Sequence, residues 1–433
     1  MTSKPTLKRS IGLAGAVLLG LGSIIGTGVF VSLGLAVEQI GSYALLSLVF
    51  AAGLASMNAL SSAQLAANHP VSGGTYAYAY RYLNPYFGFS AGAAFLLAKS
   101  ASAAAAAIGL VGYLATIVGW PGLPTNILAC GLVLLITLLV ALGVHKANRV
   151  NAVLVGFTLF ALTALIIFSL IAPAVQLDAE PSSAVKSQTI TQLTSFYWPN
   201  FFEAAALLFV AFTGYGRIAT LGEEVHNPRQ VIPKAIIITL CVATLLYLLV
   251  LISGLRVLGE NAFALATQAS VAPLEAIATK LDNQPLKILI VLSAITAMAS
   301  VLLNLILGLS RVAFAMGRQA DLPQIFEHLD RNHQPFIAIW VIGGFIGLLA
   351  LFGGIKLVWG FSAFTVLVYY FITNLASFKL SPSERFYSRA VPVAGMIGCV
   401  CFGIFLNPKI IIMGSVILCS ALAVRQLMKL SQK

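Results

Sequence analysis

Long runs of apolar residues follow one another along this chain, separated by short polar connections. A helix needs about 20 consecutive apolar residues to cross the hydrocarbon core of a bilayer. Only 9% of the 433 residues are charged and 59% are hydrophobic, so a soluble fold could not cover its surface without large apolar patches. The sequence therefore predicts an all-α membrane protein and argues against a soluble enzyme, a disordered chain or a disulfide scaffold.

Hydropathy predicts twelve transmembrane helices. The first run is too long for the apolar core of a signal peptide, so we expect it to stay in the mature protein. The predicted spans lie near residues 11–37, 42–67, 85–117, 125–144, 150–173, 199–224, 233–257, 286–316, 335–353, 356–378, 391–407 and 409–427.

The distribution of lysine and arginine predicts the orientation. With the N-terminus in the cytoplasm, 17 of the 25 basic residues fall on the inner side and 6 on the outer side. Basic residues accumulate in cytoplasmic loops, so both tails, residues 1–10 and 428–433, are expected in the cytoplasm. We predict a multi-pass protein of the inner or plasma membrane, and the basic residues indicate membrane topology rather than nucleic-acid binding.

Glycines interrupt two of the predicted spans. The first carries Gly22–Phe30 (GSIIGTGVF), and the sixth carries Phe212–Arg217 (FTGYGR). Each break opens a block of five helices, residues 11–173 and 199–378, and an odd number of helices forces the two blocks into opposite orientations. Two further helices, 391–427, follow. Paired broken helices at matching positions point to the central site of a secondary transporter, although the first glycine pattern alone also suits close helix packing.

A broken helix exposes backbone groups that must bind something or line a cavity. Amides at the start of a half-helix favour an anion, whereas freed carbonyls suit an ammonium. This combination fits an α-amino acid, and a small carboxylate alone could use the first break. The predicted carboxylate site is Gly26, Thr27 and Gly28, and the predicted amine site is Ile24, Val210 and Thr213.

Three stretches resemble the amino acid–polyamine–organocation (APC) transporter superfamily. They are Gly22–Phe30, Phe212–Ala235 (FTGYGRIATLGEEVHNPRQVIPKA) and Gly308–Pro323 (GLSRVAFAMGRQADLP). The resemblance implies the leucine-transporter fold of two inverted five-helix repeats, with the substrate carboxylate and amine held as above. It also implies a gate and pocket formed by Phe209, Phe212, Gly214 and Tyr215.

The resemblance also bears on the coupling ion. Many proton-coupled relatives carry a lysine in the fifth helix, and Thr158 takes that position here. A threonine does not titrate, so Thr158 could help to ligate sodium, or the protein could exchange substrates without coupling. No cofactor is expected beyond a possible coupling H⁺ or Na⁺.

Two basic residues lie deep in predicted spans, where charge is costly. Lys99 is too far from either end of the third span to reach an interface. It could carry a proton, replace the missing fifth-helix lysine, anchor an anion or hydrogen-bond a carbonyl at a break. Arg217 could bind an acidic group of the substrate or pair with Glu223 or Glu224 as a latch.

The excess of positive charge at depth predicts an electropositive cavity. We therefore expect neutral or acidic amino acids to be preferred over cationic ones. On the inner side, the spacing of charges predicts a cytoplasmic salt-bridge cluster of Glu223, Glu224, Arg311 and Arg318.

The motifs of other classes of protein are missing from the sequence. It has no HExxH, no histidine cluster within a span, no paired intramembrane aspartates and no phosphate-binding loop, so we predict no enzyme activity, no metal site and no ATP drive. The expected partners are a small amino acid and the bilayer. A channel or a non-transporting amino acid sensor of the same fold stays open as an alternative, and the oligomeric state is unknown.

Overall fold

The computed structural model describes residues 11–70, 73–119, 124–142, 148–173, 197–219, 225–270, 272–330 and 334–431. Within these ranges the chain is helical and forms no β-strand. A single β-bridge joins Ile11 to Val225, and the Ile11 carbonyl accepts a hydrogen bond from His226 N at 2.9 Å. The predicted tail at residues 1–10, as well as Glu223 and Glu224, lies outside the described residues.

The helices of the first half match the predicted apolar runs within a few residues. A short helix, α4, joins the second and third predicted spans. The bounds are α1 Leu13–Ile24, α2 Leu33–Ile40, α3 Ala44–Asn68, α4 Thr75–Tyr82, α5 Pro85–Val118, α6 Thr125–Ala141 and α7 Asn148–Ile171.

The second half follows the same pattern. Its longest helix, α10, bends at Gly259, which adopts a φ of 73° that glycine tolerates and other residues rarely adopt. The bounds are α8 Trp198–Phe212, α9 Gly216–Ala219, α10 Pro228–Ser270, α11 Pro273–Lys280, α12 Gln284–Arg318, α13 Phe336–Phe352, α14 Ile355–Phe378, α15 Ala390–Ile404 and α16 Pro408–Ser431.

Local sequence signals fix where the two longest unkinked helices begin. The Asn84 side chain accepts hydrogen bonds from the backbone N–H of Tyr86 and Phe87 at 2.9 and 3.1 Å, and Pro85 opens α5. Asn283 caps α12 in the same way, again with a proline in the first turn. An asparagine cap satisfies amides that the first turn leaves unbonded, and proline there loses no hydrogen bond.

The surface of the helices indicates a lipid environment. Eight helical segments are long and apolar enough to cross a membrane, and four shorter apolar helices are α1, α6, α13 and α15. Large apolar side chains on the outside are widely exposed, including Phe160 at 65% and Ile397 at 64%. Such surfaces are stable only against lipid or a partner. The chain is a multi-pass membrane protein.

The helices pack around α5, which contacts α12 and α14 over long stretches. α3 packs against α8 and α10, and α6 packs against α13. The two ends of this bundle are called here the α4 end and the α11 end, after the short helices that lie there. The two predicted breaks lie between the ends, in the middle of the bundle.

Candidate functional site

The first break separates α1 from a half-helix that continues into α2. Ile25 has extended dihedrals (φ −80°, ψ 103°), and a π-helical turn follows at Gly28–Ser32. The first amides that bond back are Val29 and Phe30, both to the Gly26 carbonyl at 3.1 Å. The amides of Gly26, Thr27 and Gly28 therefore lie at the start of a half-helix, where N–H groups lack an acceptor within the helix.

The second break is milder. After α8 ends at Phe212, the chain tightens into a 3₁₀ turn, Thr213–Tyr215, and α9 begins at Gly216. The predicted interruption is present, but the helix changes type here and does not become extended. Thr213 Oγ1 donates to the Val210 carbonyl at 2.7 Å, and the Thr213 N–H bonds to the same oxygen, so this carbonyl, predicted for the amine, already accepts two hydrogen bonds.

The two breaks touch. A Cβ on Gly214 would overlap the Ser23 carbonyl and lie 2.6 Å from the Ile24 nitrogen. On the other side of the contact, a Cβ on Gly28 would lie 2.8 Å from both the Ala211 Cβ and the Tyr247 hydroxyl. Glycine at positions 28 and 214 is therefore needed for the close approach of the two backbones.

Two buried tyrosines that the sequence analysis missed hold the breaks in place. The Tyr247 hydroxyl, from α10, lies within hydrogen-bond distance of the Ile24 carbonyl at 2.9 Å and the Ala211 carbonyl at 3.3 Å. The Tyr370 hydroxyl, from α14, donates to the Thr213 carbonyl at 3.3 Å. A phenol in an apolar span was the available signal, because a buried tyrosine needs a hydrogen-bond partner for its hydroxyl.

The Thr27 side chain carries an unsatisfied group at the first break. Thr27 is 4% exposed, and its hydroxyl has no hydrogen-bond partner among the described residues. A buried polar atom without a partner is costly, and this one lies beside the amides of Gly26 and Gly28.

The aromatic residues predicted for the gate and pocket are buried around the breaks. Phe209 meets Tyr370 edge-on with ring centroids 5.7 Å apart, and Tyr215 lies against the same ring at 5.5 Å. Phe212 instead packs against Tyr247 at 5.2 Å. Two of the predicted aromatics therefore pack against α14, and the third packs against α10.

Lys99 reaches the second break from the middle of α5. Its ammonium donates to Thr213 Oγ1 at 2.8 Å and lies 3.5 Å from the Thr213 carbonyl. The side chain is half-buried although it is far from both ends of the helix. Of the roles left open by the sequence, the hydrogen bond to a break is the one present in the structure.

The other predicted charges lie nearer the α4 end. Arg217 is half-buried on α9, and its Nη1 lies 3.5 Å from the position of a Cβ at Gly308 on α12. Arg311 and Arg318 are exposed, and the Arg318 guanidinium lies 5.7 Å from the centre of the Phe314 ring. Because Glu223 and Glu224 lie outside the described residues, the salt-bridge cluster stays a prediction.

Thr158 lines a small cavity between the first break, α7 and α12. The other lining residues include Ile25, Leu154, Ala297 and Ser300, and the space suits about one water-sized occupant. The Thr158 hydroxyl donates to the Leu154 carbonyl at 2.9 Å, which leaves its lone pairs available. The cavity is lined by residues of α1, α7 and α12 and adjoins the first break, whereas Lys99 of α5 contacts the second break.

A second polar cluster, which the sequence analysis did not find, lies at the α4 end. Asp321 is fully buried and pairs with Arg425 of α16 at 2.7 Å. The Tyr76 hydroxyl donates to Asp321 at 2.9 Å, and Tyr80 donates to the same carboxylate. Burial and the Asp321 hydrogen bond raise the pKa of Tyr80 to about 12, so it donates as a neutral phenol. The Arg425 guanidinium lies over the Phe89 ring at 5.1 Å.

Comparison with known proteins supplies a family for this geometry. The family model for amino acid permeases matches residues 15–431, nearly the whole chain. The chain belongs to the amino acid permease family. This confirms the predicted membership of the APC superfamily, and with it the prediction of a transporter rather than an enzyme.

Relatives agree with that assignment. An uncharacterised transporter of Mycobacterium tuberculosis is 37% identical over 414 residues, which cover 95% of this chain and 89% of the relative. A branched-chain amino acid permease of Bacillus subtilis is 30% identical over 80% of this chain and 76% of its own. A human protein named cationic amino acid transporter 4 is 27% identical over 86% of this chain and 60% of its own.

Proposed function

We propose that this permease carries amino acids by alternating access, with the substrate held where the first and sixth predicted spans are broken. The observation that carries this proposal is the contact of Gly214 with the Ser23–Ile24 backbone. It brings the helix-start amides of one break next to the carbonyls of the other. A zwitterion requires both kinds of group within its own length.

In this proposal the carboxylate binds the amides of Gly26, Thr27 and Gly28, assisted by the Thr27 hydroxyl. The amine binds the carbonyls of Ile24 and Val210, with Thr213 as the third acceptor. The Ile24 carbonyl keeps a lone pair after accepting from Tyr247, whereas those of Val210 and Thr213 each already accept at least two hydrogen bonds, one of which the amine would replace. Phe209 and Tyr215, packed against Tyr370, close the pocket on the α14 side.

The fold that we propose has twelve spans in two inverted five-helix repeats, followed by α15 and α16. The pairing of helices supports a repeat: the second predicted span packs against the seventh (α3 with α10), the third against the eighth (α5 with α12), and the fourth against the ninth (α6 with α13). The two breaks also meet, and they are likewise five spans apart. In this proposal a twofold axis through the bundle would relate the partners in all four pairs.

We propose that the α4 end faces the cytoplasm of the cell membrane, together with both termini, as the lysine and arginine distribution favours. A cysteine placed at exposed Ser383, at the α4 end, would then resist an impermeant thiol reagent in intact cells. A cysteine placed at exposed Lys280, at the α11 end, would react.

The charge around the second break favours neutral or acidic substrates over cationic ones. Lys99 contacts Thr213 directly, and Arg217 follows one turn later. Two cations would repel a lysine or arginine side chain. The branched-chain name of one relative agrees with this preference, whereas the cationic name of another opposes it, so the preference rests on these two residues.

For the coupling ion we propose the cavity beside Thr158. Its hydroxyl and that of Ser300 offer oxygen ligands next to the first break, where unwound backbone holds sodium in transporters of this kind. Uptake that is independent of sodium would contradict this assignment, and uncoupled exchange or proton coupling would replace it.

Counterflow in proteoliposomes tests the proposed function. Labelled amino acid should accumulate transiently in vesicles loaded with the unlabelled compound, and a panel of twenty amino acids in competition identifies the substrate. A pore cannot produce such accumulation, and a sensor would bind without flux. Either result would overturn the proposal.

A further inference from the structure

Lys99 places a positive charge at the second break, and within the part of the chain that the structure describes no ion pair to it is formed. No acidic residue occurs between residues 39 and 177, a stretch that includes α3 to α7. The helices packed most closely on α5 are α4, α6, α12, α13, α14 and α16, and none of them contains an aspartate or glutamate. The ammonium therefore has no carboxylate on α5 or on any of these six helices.

Three acidic residues on more distant described elements have other partners. α10 also touches α5, and its one acid, Glu260, hydrogen-bonds Ser42. Glu203, near the start of α8, accepts from Gln39 at 2.7 Å. Asp321 is occupied by Arg425. These three contacts lie toward the ends of the bundle.

The ammonium is nevertheless positioned for a ligand. One of the three N–H groups of the ammonium donates to the Thr213 hydroxyl at 2.8 Å. A second N–H makes a weak hydrogen bond to the Thr213 carbonyl at 3.5 Å. The third donor is available, and the side chain keeps partial exposure although it lies in the middle of α5. A cation within a membrane protein is stable when a counter-charge meets it.

We propose that Lys99 is a specificity-determining residue that pairs with a carboxylate on the substrate side chain, so that acidic amino acids are the preferred cargo. This inference rests on the proposed function, which assigns the α-carboxylate to the amides of Gly26–Gly28 and leaves the second break for the other end of the substrate. Thr213 orients the ammonium, and the amine then uses the carbonyls of Ile24 and Val210.

The test compares acids with their uncharged amides, which match them closely in size. Purified protein in proteoliposomes is assayed by counterflow with L-glutamate against L-glutamine, and with L-aspartate against L-asparagine. The wild type should favour each acid at least about tenfold, as expected for one charge-assisted hydrogen bond. Lys99→Gln should weaken the acids until each pair agrees within about twofold, while Lys99→Arg keeps a preference for the acid.

The control is Lys409→Gln, which removes the same charge from an exposed position at the start of α16 and should leave the preference unchanged. If Lys99→Gln does not fold, the wild-type comparison and Lys99→Arg still decide. A wild type that does not favour the acids, or a Lys99→Gln protein that still does, would overturn the inference.

Two further outcomes separate this inference from the proposed function. If neutral amino acids exchange and the acids show no advantage, the transporter assignment stands and the Lys99 assignment fails. If none of the twenty amino acids exchanges, the proposed function itself fails. A chloride ion could also balance Lys99, so replacing chloride by gluconate should have no effect, and a chloride requirement would contradict the substrate carboxylate.

Discussion

At the scale of single residues, the proposed site depends on buried polar atoms that have no hydrogen-bond partner within the described residues and can therefore bind a substrate. Thr27 is the clearest case, since its hydroxyl is buried without a partner while Thr213 and Tyr247 are satisfied. Removing such a group should stabilise the fold slightly, because a buried unpaired hydroxyl is costly. In the proposed site the substrate carboxylate supplies the missing hydrogen-bond partner.

We therefore expect Thr27→Val to lower substrate affinity by about tenfold, the loss of one hydrogen bond, while the melting temperature rises or stays unchanged. The measurements are competition counterflow and thermal unfolding in detergent. Thr239→Val is the matched control, because its hydroxyl is also buried and unpartnered but lies on α10 away from the amides. Equal affinity in the two variants would reject the role of Thr27.

At the scale of elements, two helices are broken at the place where they touch, and small residues make the contact possible. Gly214 and Gly28 each face the other helix at a distance that excludes a side chain. The glycines were visible in the sequence, and so was the pairing of spans one and six. The sequence did not indicate that the second break is a 3₁₀ turn whose Thr213 is hydrogen-bonded by Lys99 and Tyr370, because both partners lie more than 100 positions away along the chain.

Gly214→Ala should separate the breaks and abolish most transport, with a loss of about 1–3 kcal/mol in stability from overpacking. The added methyl would collide with the Ser23–Ile24 backbone, which cannot rotate away as a side chain can. Counterflow and thermal unfolding measure both effects. Gly344→Ala in α13, where nothing lies within 4 Å of the new methyl, should be neutral or slightly stabilising. Similar behaviour of the two variants would contradict the contact.

At the scale of the whole molecule, the α4 end is tied together by one buried ion pair. Asp321 follows α12, Arg425 belongs to α16, and Tyr76 and Tyr80 on α4 complete the cluster. The last helix is thereby fastened to the connection between the second and third predicted spans. A buried pair of this kind specifies an arrangement more than it adds stability, whereas loss of one partner is severe.

Arg425→Met should lower the free energy of unfolding by about 3–5 kcal/mol, because Asp321 would be left buried and charged. Lys429→Met removes a cation 3.8 Å from the same carboxylate, but this lysine is 44% exposed, so the loss should stay below about 1 kcal/mol. The Asp321→Asn, Arg425→Met double variant should recover part of the stability. If the two single variants lowered stability equally in thermal unfolding, the larger contribution assigned to the buried Asp321–Arg425 pair would be wrong.

The apolar runs, the glycine breaks and the superfamily signature were enough to identify an all-helical membrane transporter, since these depend on length, period and composition along the chain. Only the tertiary structure placed Tyr247 and Tyr370 on the break carbonyls, Lys99 on Thr213 and Arg425 on Asp321. Tyr247 and Ile24 are 223 positions apart, Tyr370 and Thr213 are 157 apart, Lys99 and Thr213 are 114 apart, and Arg425 and Asp321 are 104 apart. A side chain's partner across such separations is decided by which helix faces pack together. In lipid those faces are chosen by shape and by buried polar groups, because lipid tails are as apolar as the side chains and give helices little hydrophobic reason to associate.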